Sequence, residues 1–246
     1  MLKYEIEGGS LPVVICYPEP GQTICTQSGA MSWMSPNMNM ATNSGGGLKK
    51  ALGRLLSGDS IFMNEYTPMG GAGMIAFAST FPGRIIPFEV TPGNGIVVQK
   101  TGFLAMEKGL DLSMYFQKRV GSGFFGGEGF VMQKITGNGL AFIEIDGYCK
   151  EYELAAGESI ILDTGYLAAM TESCTMDVQT VKGAKNIFLG GEGLFHTRVT
   201  GPGKVWVQSM PIYNTAQRLA DFLPSSTSSS SSSSSDGPTI NLFGGK

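Results

Sequence analysis

Charge is scarce in this chain. Of 246 residues only 15% are Asp, Glu, Lys or Arg, where globular proteins carry about a quarter. The 17 cations are outnumbered by 20 anions, for a formal net charge of −3. Neutralising a phosphate backbone needs clustered Lys and Arg, so nucleic acid is not an expected partner. Histidine is scarcer still, with His196 standing alone. Ser/His/Asp or Cys/His catalysis would have to pass through that one residue. A cupin-like metalloenzyme, which draws two or three histidines to one mouth, is disfavoured for the same reason. The four cysteines, Cys16, Cys25, Cys149 and Cys174, form no CxxC pair. Four tetrahedral zinc ligands are hard to gather from them. They read as small buried hydrophobes, kept reduced inside a cell. No apolar run approaches the roughly 18 residues of a membrane span, the longest piece being strand-sized, around Met74–Ala78. The opening MLKYEIEGGS places Glu5 and Glu7 where a leader would be cationic and then apolar. Together these features predict a soluble, cytoplasmic protein with no cofactor.

Glycine is plentiful, at 36 residues. Gly takes φ > 0 without steric cost, so short strands joined by tight turns are expected. The glycines are also periodic. VICYPEPGQTICTQSGAM (residues 14–31), IPFEVTPGNGIVVQKTGFLAM (86–106) and KEYELAAGESIILDTGYLAAM (150–170) share one grammar of strand, Gly turn, strand and Ser/Thr-Gly. Gly21, Gly93 and Gly157 fall at one turn, and Gly29, Gly102 and Gly165 at the next, where a left-handed backbone is expected at all three. Each segment has a second half in which Asp59, Glu128 and Glu192 coincide, as do Thr67, Thr136 and Thr200. His196 then aligns with Met63 and Met132, so its slot needs no imidazole.

Apolar residues alternate within the strands, as at Val205 and Val207, which puts one face inward. Trp206 and the run Ile160–Leu162 break the alternation, as strands covered on both sides do. The predicted fold is all-β, built of β-sandwich units in three internal repeats with short peripheral helices. One pseudo-threefold body is expected over residues 1–211, with repeats at about 11–80, 85–145 and 148–210. A C-terminal amphipathic helix is expected over 212–223, with Ile212, Ala216, Leu219, Ala220 and Leu223 on one face. A Ser-rich tail, 224–246, lacks the apolar residues needed to offset the entropy of ordering.

Three features could carry chemistry. Asp59, Glu128 and Glu192 would meet on a threefold axis and could hold a cation there, or each could cap backbone N–H groups in its own turn. Met31, Met34, Met38 and Met40 crowd around Trp33 and read as core filler more readily than as soft metal ligands. Leu48, Leu52, Leu55 and Leu56, with Lys49, Lys50 and Arg54 between them, form a cationic amphipathic helix suited to an acidic surface.

The stretches YEIEGGSLPVVICYPEPGQTI, SGAMSWMSPNM and SGGGLKKALGRLLSGDSIFMNEYT resemble the altered-inheritance-of-mitochondria family, of the type numbered twenty-four, over nearly all of residues 1–223. The resemblance implies a fold like that of the tryptophan RNA-binding attenuator protein, of the double-stranded β-helix kind. It also implies a link to mitochondrial membrane organisation, and it carries over no catalytic residue. The expected function is non-enzymatic binding or scaffolding. The alternative is a peripheral membrane adaptor using Leu48–Leu56. Expected partners are another protein, a membrane surface or further copies of the chain.

Overall fold

A computed structural model describes residues 1–43, 63–118, 129–180, 195–220 and 222. The described chain is all-β with one helix. After a leading strand β1 (Lys3–Glu7), six strands recur three times. The first set is β2 (Val13–Tyr17), β3 (Ile24–Gln27), β4 (Trp33–Met34), β5 (Met38–Asn43), β6 (Met63–Pro68) and β7 (Ile75–Ala78). The second is β8 (Gly83–Val90), β9 (Ile96–Gln99), β10 (Phe103–Glu107), β11 (Asp111–Lys118), β12 (Phe130–Thr136) and β13 (Gly139–Asp146). The third is β14 (Cys149–Leu154), β15 (Ser159–Asp163), β16 (Leu167–Thr171), β17 (Thr175–Thr180), β18 (Phe195–Thr200) and β19 (Gly203–Gln208).

These strands form four antiparallel sheets. In spatial order they are sheet I, β1-β2-β7-β4; sheet II, β5-β6-β3-β10-β13-β8; sheet III, β11-β12-β9-β16-β19-β14; and sheet IV, β15-β18-β17. Within every repeat the first, third and sixth strands form one half-sheet, and the second, fourth and fifth form another. The repeats are joined by one recurring contact: the third strand of a repeat pairs with the second strand of the repeat before it. Met106 of β10 lies opposite Cys25 of β3, and Met170 of β16 opposite Val97 of β9.

Side-chain alternation then fills three cores. Leu104, Phe142 and Ile85 of sheet II pack with Val14, Ile75 and Phe77 of sheet I. Val90, Phe103 and Ile143, on the other face of sheet II, meet Ile96, Val98 and Trp206 of sheet III. Val97, Met132 and Val205, on the far face of sheet III, meet Val178 and Val199 of sheet IV. Sheets II and III are thus covered on both faces. Trp206 breaks the alternation of β19 because Val205 and Val207 serve one core and Trp206 the other.

The repeat is visible in its turns. Gly21, Gly93 and Gly157 have φ of +89°, +81° and +81°, each in open space. The second glycine set does not share a backbone state, contrary to expectation. Gly29 is left-handed at +89°. Gly102 and Gly165 instead lie in 3-10 turns, Lys100–Gly102 and Thr164–Tyr166. At Gly102 the constraint is crowding, since a Cβ there would stand 2.9 Å from the Glu144 carbonyl oxygen.

The helix α1 (Ile212–Ala220) is held by its first turn. The Ile212 N–H donates to Asp146 Oδ2 at 2.9 Å, and Tyr213 packs against the third core. A carboxylate at the helix start is electrostatically favourable. Of the predicted apolar face, Ile212 is half-buried at the helix start while Ala216 is exposed and Leu219 is 61% exposed, and Leu223 lies outside the described residues. No helix among the described residues is long and apolar enough to cross a membrane.

Candidate functional site

The acids singled out by the repeat, Asp59, Glu128 and Glu192, lie outside the described residues, as does the Leu48–Leu56 segment. Each acid falls in the connection between the fourth and fifth strands of its repeat. His196 sits on β18 between Asp163 of β15 and Gln179 of β17. Its counterpart Met132 is fully buried under sheet IV. Of the methionines around Trp33, Met38 is buried and Met31 and Met34 pack against the first core. Met40, expected with them, is 51% exposed.

The thiols are held protonated. Burial, with Glu107 adding to it, pushes Cys16 up to about 12. Burial also takes Cys25 to about 11. Neither supplies a thiolate at neutral pH. Two buried carboxylates face inward and are spoken for by local donors. Glu144 accepts from the Ser79 hydroxyl at 2.8 Å and the Thr80 N–H at 2.9 Å. Asp146 holds the start of α1. Burial raises the pKa of both. Around them Gln208 closes the junction of the second and third repeats. Its amide donates to Gln99 Oε1 and to the Gly165 carbonyl, and its Oε1 accepts from the Asp146 N–H.

Among the described residues, one concave site is a cleft of about 430 Å³ where β8, the edge of sheet II, crosses β14 and β19 of sheet III. Pro87 lies within β8 and has no N–H to donate, as an edge strand permits. Arg84, Ile86 and Phe88 alternate with it and point toward sheet III. Phe88 meets Trp206 edge-on, with centroids 5.9 Å apart at 90°. Trp206 lies opposite Glu151 in the β14–β19 ladder. Its Nε1 donates to Glu151 Oε2 at 2.9 Å, while Lys204 Nζ binds Glu151 Oε1 at 2.7 Å. The Lys204 hydrogen bond, with Trp206 and the Arg84 charge in support, holds the Glu151 carboxyl below the usual range. Cys149 lines the same cleft, but burial outweighs the pull of Arg84 and its thiol is raised. The site is therefore an aromatic and aliphatic floor, a fixed carboxylate and two cations, Arg84 and Lys204. It can hold an apolar group beside a negative one.

Sequence reasoning missed this cleft. Trp206 stood out as a break in alternation, but nothing local shows that β8 crosses over β14.

Three six-stranded repeats locked together by shared sheets define a class of all-β repeat protein whose concave site is built between sheets. The model of the family described as mitochondrial biogenesis AIM24 matches residues 4–210, and the chain belongs to that family. No curated protein matches the chain. Among solved structures, the crystal structure of protein SPYM3_0169 from Streptococcus pyogenes is similar in fold. It has a TM-score of 0.74 and 24% identity, covering 91% of this chain and 100% of that one.

Proposed function

We propose that the protein is a non-enzymatic scaffold that binds another protein at the β8–β14–β19 cleft. The observation that carries this reading is the makeup of the cleft. Arg84 and Lys204 set two positive charges against the one of Glu151, beside the Phe88–Trp206 floor. That charge balance suits a partner chain presenting a carboxylate next to an apolar side chain. The family's description as mitochondrial biogenesis supports a role in organelle organisation, and the cytoplasm is the compartment proposed for this chain's own part in it.

The test is affinity capture of the full chain with mass spectrometry, run in parallel on Arg84→Glu and Lys150→Glu. Lys150 neighbours Glu151 but alternates away from the cleft. Arg84→Glu is expected to lose a partner that both the original chain and Lys150→Glu retain. The same partner set from all three would overturn the cleft reading.

A further inference from the structure

The contact that joins successive repeats is made twice and is absent a third time. It needs a second strand on one side and a third strand on the other. β3 takes β10, and β9 takes β16. The remaining second strand, β15, pairs only with β18 among the described residues, and the remaining third strand, β4, only with β7. Among the described residues, one unmatched donor edge and one unmatched acceptor edge are left, at opposite ends of the repeat series.

The residues on these edges carry the mark of the missing contact. Cys25, Val97 and Ile161 each fall four positions after the repeated turn glycines Gly21, Gly93 and Gly157. Cys25 is 6% exposed and Val97 0%, but Ile161 is 54% exposed. On the other side, Ala105, Ala169 and Trp33 hold equivalent places against their sixth strands, opposite Phe142, Trp206 and Ala76. Ala105 and Ala169 are 0% exposed, and Trp33 is 46% exposed. A large apolar side chain is exposed on each unmatched strand, at a place that is buried wherever the contact is made. Within one chain, then, these two places do not cover each other. An unprotected edge of this kind invites strand pairing with another chain.

The geometry points to a second copy of this chain as the occupant: β15 of one copy pairs antiparallel with β4 of the next, joining sheet IV to sheet I as the internal junctions join the half-sheets of sheets II and III. The register follows from the other two instances. Met106 faces Cys25 and Met170 faces Val97, so Met34 faces Ile161 of the second copy. Two different surfaces meet, so the association is head-to-tail and builds a ring or a filament rather than an isologous dimer. This deepens the scaffold reading by naming one partner, and it does not use the cleft.

The experiment uses the full chain. Light scattering should give a mass at least twice the 26.0 kDa of one copy. Met34→Cys and Ile161→Cys copies, mixed and mildly oxidised, should form a disulfide-linked dimer that neither forms alone. Ile161→Lys should return the mass to one copy while near-ultraviolet circular dichroism stays native, which separates a blocked edge from a damaged fold. Arg84→Glu should leave the assembly intact, so loss of cleft binding and loss of self-association are read independently. A single-copy mass at every concentration, with no mixed dimer, overturns the proposal. So does a Met34→Cys/Ile161→Cys double variant that closes its disulfide within one chain.

Discussion

Sheets II and III differ from sheets I and IV in how many faces they bury, and the difference appears strand by strand. β9 and β10 belong to the inner pair. Every residue of β9 is buried, and so is every residue of β10 except its last. β15, at the place of β9 one repeat on, shows none of its five residues buried. The three second strands read almost alike: Ile24-Cys25-Thr26, Ile96-Val97-Val98 and Ile160-Ile161-Leu162. The burial of a strand in this protein is therefore set by its layer and not by its own hydrophobicity. That is why the apolar run Ile160–Leu162 predicts cover on both sides while the described chain supplies it on one.

The sharpest test of the comparison is a pair of truncations. Phe142 of sheet II is fully buried and touches Tyr4 edge-on at 5.1 Å. Phe142→Ala should cost about 3–5 kcal/mol, seen as a lowered denaturation midpoint with the slope preserved. Ile161→Ala on sheet IV, measured at concentrations where the chain is a single copy, should change stability by about 0.5 kcal/mol or less, as surface substitutions do. Equal costs would show that the layers do not differ.

The second test asks what is independent of layer. Gly21 leads into sheet II, Gly93 into sheet III and Gly157 into sheet IV, all with the same left-handed φ and no nearby atoms. Substitution by Ala at each should cost about 1 kcal/mol, alike at the three sites, because the penalty lies in the local backbone. Gly102→Ala should act through a different cause, displacing the Glu144 carbonyl. One silent member among the three turn glycines would break their equivalence.

The turns and periodicity were legible in the sequence because each depends on residues close along the chain. The all-β class and the three repeats follow from glycine spacing and two-residue alternation, whereas the six strands of each repeat emerge only in the structure. What could not be read is which half-sheet lies on which. Arg84, Glu151 and Trp206 share a cleft only because sheet II crosses sheet III, a relation with no local signature. The split among Gly29, Gly102 and Gly165 is also tertiary: the same Ser/Thr-Gly pair lies against Glu144 of the paired strand β13 at Gly102 and in open space at Gly29. The exposure of Leu219, on a face that looks ready to dock, belongs to the same class of tertiary outcome.

A smaller effect tests the inner pair through its buried acids. The folded-state pKa values of Glu144 and Asp146 are raised, chiefly by burial. The sign follows from linkage. A raised carboxylate contributes stability below its unfolded pKa and loses that contribution as pH rises through the folded value. Glu144→Gln removes one such group while keeping an acceptor for Ser79 and Thr80. Its stability should therefore fall less than that of the original chain as pH is raised from acid to neutral, measured by denaturant midpoints across that range. A steeper fall would show that the hydrogen bonds from Ser79 and Thr80, rather than burial, set the balance.

The smallest effect reads the cleft without unfolding anything. Glu151 is the opposite case, a carboxyl lowered first by its hydrogen bond to Lys204. Its interactions persist above the ordinary carboxylate pKa and are lost as pH falls through the lower folded value. Trp206 Nε1 donates to that carboxylate, so indole emission reports its charge. The chain has two tryptophans, and Trp33→Phe leaves Trp206 as the only emitter. In that variant the emission should hold steady from neutral pH down to the usual Glu range and shift only below it. Adding Lys204→Met should move the shift to higher pH, because the largest cause of the lowering is gone. Glu151→Gln should remove the shift while near-ultraviolet circular dichroism stays native. A transition that is unmoved by Lys204→Met would mean that Trp206 senses a different group, and the fixed carboxylate assigned to this cleft between sheets would have to be given up.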